Sequence, residues 1–365
     1  MKNLRVALVY DWLDSWGGAE RVLLLLYKVF PTAPLYTSIY NSKRTSWAKT
    51  FQIRTSFLQK MPLARKRRRC YTPLFPIAFE SFNFDQYNLI ISISSFAAKG
   101  IITKPHTGHI CYLLTPTRFL WSGQKDYFKD NFQKKLAKPI LCYLKKWDKI
   151  AAQRPDQMIA TSKNVAQRCQ KYYQRKIDQI IYPPVDTKKF YIKGPDPGKK
   201  GSCPFFLFVS RLEPYKKADL AINTFNDLGW SLKIIGRGSQ LNKLKKIAKP
   251  NIKFLGHLTD KQLLSYYQTC RGVIYPQEED FGLVPLEAQA CGKPVIAYRK
   301  GGAKETIIKD KTGVFFNPQN KNALIKTLLK FNANNYNKNN CRKNAEKFSE
   351  KKFVEAWKKL IDPYV

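Results

Sequence analysis

The stretch Val273–Ile307, VIYPQEEDFGLVPLEAQACGKPVIAYRKGGAKETI, limits the folds open to this chain more than any other. Val273 to Tyr275 is a short apolar run closed by Pro276, which predicts a buried strand. A polar loop follows with Glu278, Glu279, Asp280 and Gly282. Pro285 and the run Leu286 to Ala290 predict a short helix, with proline near its start and Gly292 placed to stop it. Pro294 to Tyr298 reads as a second strand, Gly301-Gly302 as a turn, and Glu305 as the opening of another helix. Strand, loop, helix, strand is the unit that builds an open parallel sheet, and such sheets bind ligands at the carboxyl ends of their strands.

Two carboxylates in this stretch are placed to use that edge. Glu279 lies in the loop and Glu287 in the helix, with seven residues between them. Carboxylates accept hydrogen bonds, and the hydroxyls of a sugar or a ribose donate them. The backbone N–H groups of Phe281, Gly282 and Leu283 fall at a helix start, which suits an anionic ligand. A cluster of acids is more often a solvated loop; here the whole ordered phrase, not the pair alone, sets that reading aside.

The phrase resembles the donor-site signature of the retaining glycosyltransferases of family four, which have the GT-B fold. The residues that carry the resemblance are Glu279, Phe281-Gly282, Pro285, Glu287-Ala288, Gly292 to Ala297, Gly301-Gly302 and Glu305. It implies an α/β protein made of two Rossmann-like parallel-sheet domains facing a central cleft.

A length of 365 residues suits two domains with a core each. Pro183-Pro184 is stiff and reads as the linker between residues 1–183, on the acceptor side, and 184–348, which would bind the nucleotide sugar. Gly194 to Lys200 reads as a solvated connection. The last helix, residues 349–365, carries Phe353, Trp357, Leu360 and Ile361 as a one-sided stripe. The resemblance has it cross back to the first domain.

Composition removes several function classes. The apolar run Val6 to Tyr10 is cut by Asp11, so it reads as a first strand rather than a signal peptide, and no segment is long and apolar enough to span a bilayer. Eight cysteines without a C-x-x-C pair read as reduced thiols of a cytoplasmic protein, with no metal site. The net charge of +39 is spread evenly: 31 cations against 10 carboxylates in residues 1–183, and 34 against 16 in 184–365. An even spread with no interleaved aromatic-basic motif speaks against specific nucleic-acid binding. The run Arg65-Lys66-Arg67-Arg68-Arg69, after Phe57, Leu58, Met61 and Leu63, fits either an anionic membrane surface or a solvated loop.

The resemblance also assigns roles outside the opening phrase. Gly17 and Gly18, after the first strand, match the family's first loop, which faces the donor phosphates and the acceptor. Ser94 to Gly100 reads as a helix start. Leu114 stands where family members commonly have a histidine near the reacting sugar, while Arg118 is placed to touch the acceptor and Trp121 to pack. Arg211 and Lys216, after the strand Phe205 to Ser210, match the family's diphosphate-binding arginine and lysine; Lys217 replaces a small residue found in many members and reads as harmless. Gly236-Arg237-Gly238 resembles a nucleotide-facing loop, and Gly256 to Leu258 are placed by the nucleobase.

The reading is therefore a retaining, metal-independent hexosyltransferase. Arg211, Lys216 and Glu279 would serve catalysis. With Gly17, Gly18, Phe281, Gly282, Leu283 and Glu287 they would bind the donor, and Arg118 the acceptor. No cofactor is expected. The donor expected first is GDP-mannose, and the acceptor a hydroxyl on a glycan or lipid-linked glycan, in the cytoplasm or on the inner face of its membrane. The alternatives are a basic nucleic-acid- or membrane-binding protein without catalysis, or a phosphorylase or epimerase on the same fold.

Overall fold

The computed structural model describes residues 4–123, 135–193 and 205–364, so the connection read at Gly194 to Lys200 lies outside the described residues. The chain divides into two compact units, Met1–Pro183 with Phe353–Val365, and Pro184–Lys352.

The first unit is built on β1 (Val6–Tyr10), β2 (Leu35–Thr37), β3 (Ile53–Thr55), β4 (Leu89–Ser94), β5 (Gly108–Leu113), β6 (Gln157–Ala160) and β7 (Gln179–Ile180). They form one parallel sheet in the order β3-β2-β1-β4-β5-β6-β7. Alternate residues serve alternate faces. Val6, Leu8 and Tyr10 enter one core with Val22, Leu23 and Leu26 of the helix Gly18–Val29. Ala7 and Val9 enter the other, with Phe75 and Phe79 of the helix Phe75–Glu80 and Leu141, Leu144 and Trp147 of the helix Lys138–Ala151. Phe353, Trp357 and Ile361 of the terminal helix Glu350–Ile361 are buried in the first of these cores, Trp357 meeting Tyr112 edge-on at 5.6 Å.

Three local readings change. Ser94 to Gly100 does not begin a long helix; it makes one tight turn, Ala98–Gly100. The Asp11 carboxylate accepts the N–H groups of Ser95, Phe96, Ala97 and Ala98 at 2.6 to 3.0 Å, taking the donors that a helix start leaves open. The basic run is not a loop. It forms the helical turn Ala64–Arg67 and continues into the 3₁₀ stretch Arg68–Leu74. Arg68 pairs with Asp14 at 2.5 Å and lies 4.0 Å over the Trp12 ring. Lys217 is not neutral in its effect: its φ of 54° is left-handed, which costs a residue with a Cβ about 1 kcal/mol.

The second unit holds β8 (Phe206–Val209), β9 (Leu232–Ile235), β10 (Ile252–Gly256), β11 (Gly272–Tyr275), β12 (Val295–Tyr298) and β13 (Gly313–Phe316), all parallel, in the order β10-β9-β8-β11-β12-β13. The order reverses between β8 and β11. Sheets of this kind take their ligands outside the carboxyl ends of the strands at such a reversal.

Candidate active site

The loop after β8 carries Arg211 and Lys216, and the loop after β11 carries Glu279. Both therefore leave the sheet at its switch point. The Leu212 N–H donates to the Arg237 carbonyl at 2.9 Å, and Ser239 donates to Glu213 through its backbone N–H at 3.2 Å and its hydroxyl at 2.6 Å. These bonds hold the Gly236-Arg237-Gly238 turn against the Arg211 loop. Gly236 has φ 140°, and a Cβ there would overlap the Ser210 carbonyl oxygen, so the close approach requires glycine.

The Lys216 ammonium donates to Glu279 Oε1, and Gln277 Nε2 donates to the same oxygen at 3.1 Å. The two charged side chains are 12% and 21% exposed. Burial pushes the Glu279 carboxyl up, but the charge and hydrogen bond of Lys216, with hydrogen bonds from Gln277 and Tyr275, outweigh it and hold the group below the usual carboxylate range. Glu279 is thus ionised at neutral pH. Lys216 also lies 5.1 Å over the Tyr215 ring, whose hydroxyl meets Arg211 Nη2 at 3.2 Å. Tyr215 therefore touches Arg211 and Lys216, and the Arg211 side chain is exposed.

The helix Leu283–Ala290 starts where the Glu279 loop ends. Gly282, its cap, has φ 95°, and a side chain there would overlap the Tyr275 hydroxyl. Phe281 is buried against Phe348 at 5.6 Å. The Gly302 N–H donates to the Glu279 carbonyl at 2.9 Å, so the Gly301-Gly302 turn braces the acidic loop from behind. Asn344 Nδ2 donates to Gln289 Oε1 at 2.7 Å and to the Thr306 carbonyl at 3.0 Å, and Arg342 donates to the Ala290 carbonyl at 3.1 Å, fixing the helix at its far end. Glu287 is 4% exposed, and its Oε2 accepts from Tyr267 Oη at 2.8 Å.

The remaining site candidates lie in the first unit, each at a strand's carboxyl end. Gly17 precedes the helix that Gly18 begins, and neither has a positive φ, so the backbone itself does not demand glycine there. Tyr10 Oη donates to Glu20 Oε1 at 2.7 Å just inside that helix. Arg118 is half-buried on the turn that follows β5 and Leu114. That turn is pinned by Asp148, which accepts from Thr117 Oγ1 at 2.9 Å, Trp121 Nε1 at 2.7 Å and Lys99 Nζ at 2.5 Å. His109 is buried in β5 beside Ser92 at 2.8 Å, and burial lowers its pKa to about 3, with Arg175 and Arg154 adding to the effect, so it is neutral.

Sequence reading did not find Tyr215, Gln277 or Tyr267 as partners of the charged groups. Tyr215 and Gln277 sit within two residues of Lys216 and Glu279, a local signal; Tyr267 reaches Glu287 from another helix and left none.

An arrangement of this kind offers cations for an anionic ligand beside an ionised carboxylate for hydroxyls. Residues 193–348 match the family described as glycosyl transferases group 1. The chain is 29% identical over 218 residues to an uncharacterized glycosyltransferase of Methanocaldococcus jannaschii, a match covering 58% of this chain and 59% of that protein, less than two thirds of its length. It is 31% identical over 158 residues to a GDP-mannose-dependent alpha-(1-6)-phosphatidylinositol monomannoside mannosyltransferase of Mycolicibacterium smegmatis, covering 36% of this chain and 41% of that one. Among solved structures, sucrose-phosphate synthase from Thermosynechococcus elongatus superposes with a TM-score of 0.73 at 17% identity over 98% of both chains, a likeness of fold.

Proposed function

We propose that this chain is a group 1 glycosyltransferase with the GT-B fold that moves a hexose from a nucleotide-diphosphate sugar to an acceptor hydroxyl with retention at the anomeric carbon. The observation that carries the reading is the meeting of Lys216 and Glu279 at the β8–β11 switch point, with Arg211 on the same loop as Lys216. Arg211 and Lys216 receive the diphosphate, Glu279 the hydroxyls of the transferred sugar, and the buried Glu287 the ribose. Phe281, Gly282 and Leu283 present N–H groups at the helix start. As the bond from the anomeric carbon to the phosphate oxygen breaks, the two cations neutralise the charge that develops on the leaving group. The acceptor oxygen attacks on the face that the phosphate leaves, and its proton passes to a phosphate oxygen. No metal is assigned to this step, because the sequence has no D-x-D pair and two protein cations stand at the diphosphate position.

The similarity to a GDP-mannose-dependent relative supports GDP-mannose as the donor. The acceptor is a glycan or lipid-linked glycan, met at an anionic membrane surface in the cytoplasm; among the described residues no helix is long and apolar enough to cross a membrane. A calorimetric screen of nucleotide sugars tests the donor. GDP-mannose binding ahead of UDP- and ADP-sugars is the expected result, and binding of none by a folded chain overturns the reading.

A further inference from the structure

The membrane surface in that reading rests on the run Arg65 to Arg69, and the fold adds a second, independent element. The turn Phe57–Lys60, the helices Ala64–Arg67 and Phe75–Glu80, and the helix Lys138–Ala151 all bury their inner residues in one core with Ala7, Val9 and Ile90. They form a single helical layer on one face of the first unit's sheet, with Trp147 Nε1 donating to Glu80 Oε1 at 2.6 Å within it.

The outer side of this layer is unusual for a surface facing only water. On the helix Lys138–Ala151 and the turn before it, Leu136, Ile140, Tyr143 and Ile150 are 67%, 44%, 45% and 60% exposed. They follow one another by four, three and seven residues, so they lie along one line of the helix. Lys135, Lys138, Lys146 and Lys149 are exposed beside them. On the neighbouring elements Phe57, Leu63 and Ile77 are also exposed, and Leu63 holds a left-handed φ of 54° at the head of the basic turn.

The carboxylates complete the pattern. Residues 57–79 contain six cations and no carboxylate. Residues 135–151 contain five lysines and one acid, Asp148, which is fully buried against Lys99. Glu80 is held by Trp147 and by Arg154 at 2.7 Å. Of these acids Asp148 is buried and Glu80 is paired, so the exposed side of the layer is dominated by cations and the exposed apolar side chains. We infer that this helical layer is a docking face for an anionic lipid bilayer, with Leu136, Ile140, Tyr143 and Ile150 entering the headgroup boundary and the flanking lysines and arginines meeting lipid phosphates. The inference rests on the proposed membrane-surface acceptor and deepens it by assigning the contact to a helix remote in sequence from Arg65 to Arg69.

The test uses the full chain with vesicles of phosphatidylcholine alone and of equal parts phosphatidylcholine and phosphatidylglycerol. Sedimentation is expected with the anionic vesicles, falling as salt rises. The variant with Ile140→Ser and Tyr143→Ser should lose roughly tenfold or more in vesicle affinity while melting and binding GDP as the parent does. A labelling measurement needs no substitution: Cys70 and Cys142 are exposed on this layer, and their maleimide reactivity, read by peptide mass spectrometry, should fall on anionic vesicles. If vesicles bind, but only charge reversal at Arg65 to Arg69 abolishes binding and Cys142 stays reactive, the inference fails and the membrane reading stands. Absence of binding to either vesicle overturns both. Protection of Cys142 that rises with protein concentration in the absence of lipid would show that a second copy covers the face, and would overturn the assignment to lipid.

Discussion

Replacing Glu279 by glutamine separates the two jobs that meet at the switch point. Lys216 is held by Glu279, with both side chains largely shielded from water. A hydrogen bond to a charged group nets about 1.5–3 kcal/mol. A diphosphate approaching Lys216 must share that ammonium with Glu279 and also meets the carboxylate's repulsion. The amide of the Glu279→Gln variant keeps the shape of the carboxylate and removes both effects. Allowing for the solvent that reaches the pair, the gain to a nucleoside diphosphate is about 1 kcal/mol, or roughly fivefold tighter binding. Turnover should move the other way. Losing a charge-assisted contact to the sugar costs about 1.5–3 kcal/mol of transition-state stabilisation, a fall in kcat of about tenfold to a hundredfold. Titration calorimetry with GDP and steady-state transfer rates measure the two effects on one variant. GDP binding that is unchanged or weaker, or an unchanged kcat, would refute the reasoning. Spacing alone predicts unchanged GDP affinity; the ion pair is what predicts tighter binding.

Other outcomes follow from the same geometry. Arg211→Ala and Lys216→Ala should each weaken GDP binding by about 1.5–3 kcal/mol, read by calorimetry. Glu287→Gln should weaken GDP and intact donor by equal factors, since the ribose belongs to both, and Tyr267→Phe should do the same more mildly; a donor-only effect would remove Glu287 from the ribose. Lys217→Gly should stabilise the chain by about 0.5–1 kcal/mol in denaturant titrations, because the left-handed backbone is retained without the Cβ penalty. The folded-state pKa of His109 lies below its unfolded value, so its contribution to stability is complete above pH about 6.5 and is lost as pH falls toward about 3. His109→Gln should flatten the stability profile across that window, measured by thermal melts at stepped pH.

The sequence revealed what local chemistry encodes. Pro285, Gly292 and the apolar runs around them place the helix Leu283–Ala290 between β11 and β12 to within a residue or two. Ser162, of a residue type that caps helix starts, accepts from the Val165 N–H at 3.0 Å at the head of the helix Lys163–Tyr173. Interactions between residues far apart in sequence were not legible. Ser95 to Ala98 have the composition of a helix start, but the carboxylate that claims their N–H groups is Asp11, more than eighty residues earlier. The basic run fits either a membrane surface or a solvated loop in sequence, and its helical turn is seen only with Asp14 and Trp12 holding Arg68. Within the site, the resemblance marked Lys216 and Glu279 as separate functional groups, 63 residues apart, but a sequence match carries no distances, so their ion pair was invisible. The strand order that brings their loops together appears only once β8 and β11 are seen as neighbours.

The central claim is that the chain transfers a hexose with retention, and the product's anomeric configuration tests it most directly. The purified chain would be incubated with GDP-mannose and a panel of glycan and lipid-linked acceptors, and the new linkage read by the one-bond carbon–proton coupling at the anomeric centre. An α-linked hexose on the acceptor, with GDP released in equal amount, is the predicted result. A β-linked product, or a folded chain that binds the donor yet joins its sugar to no acceptor, would contradict the account.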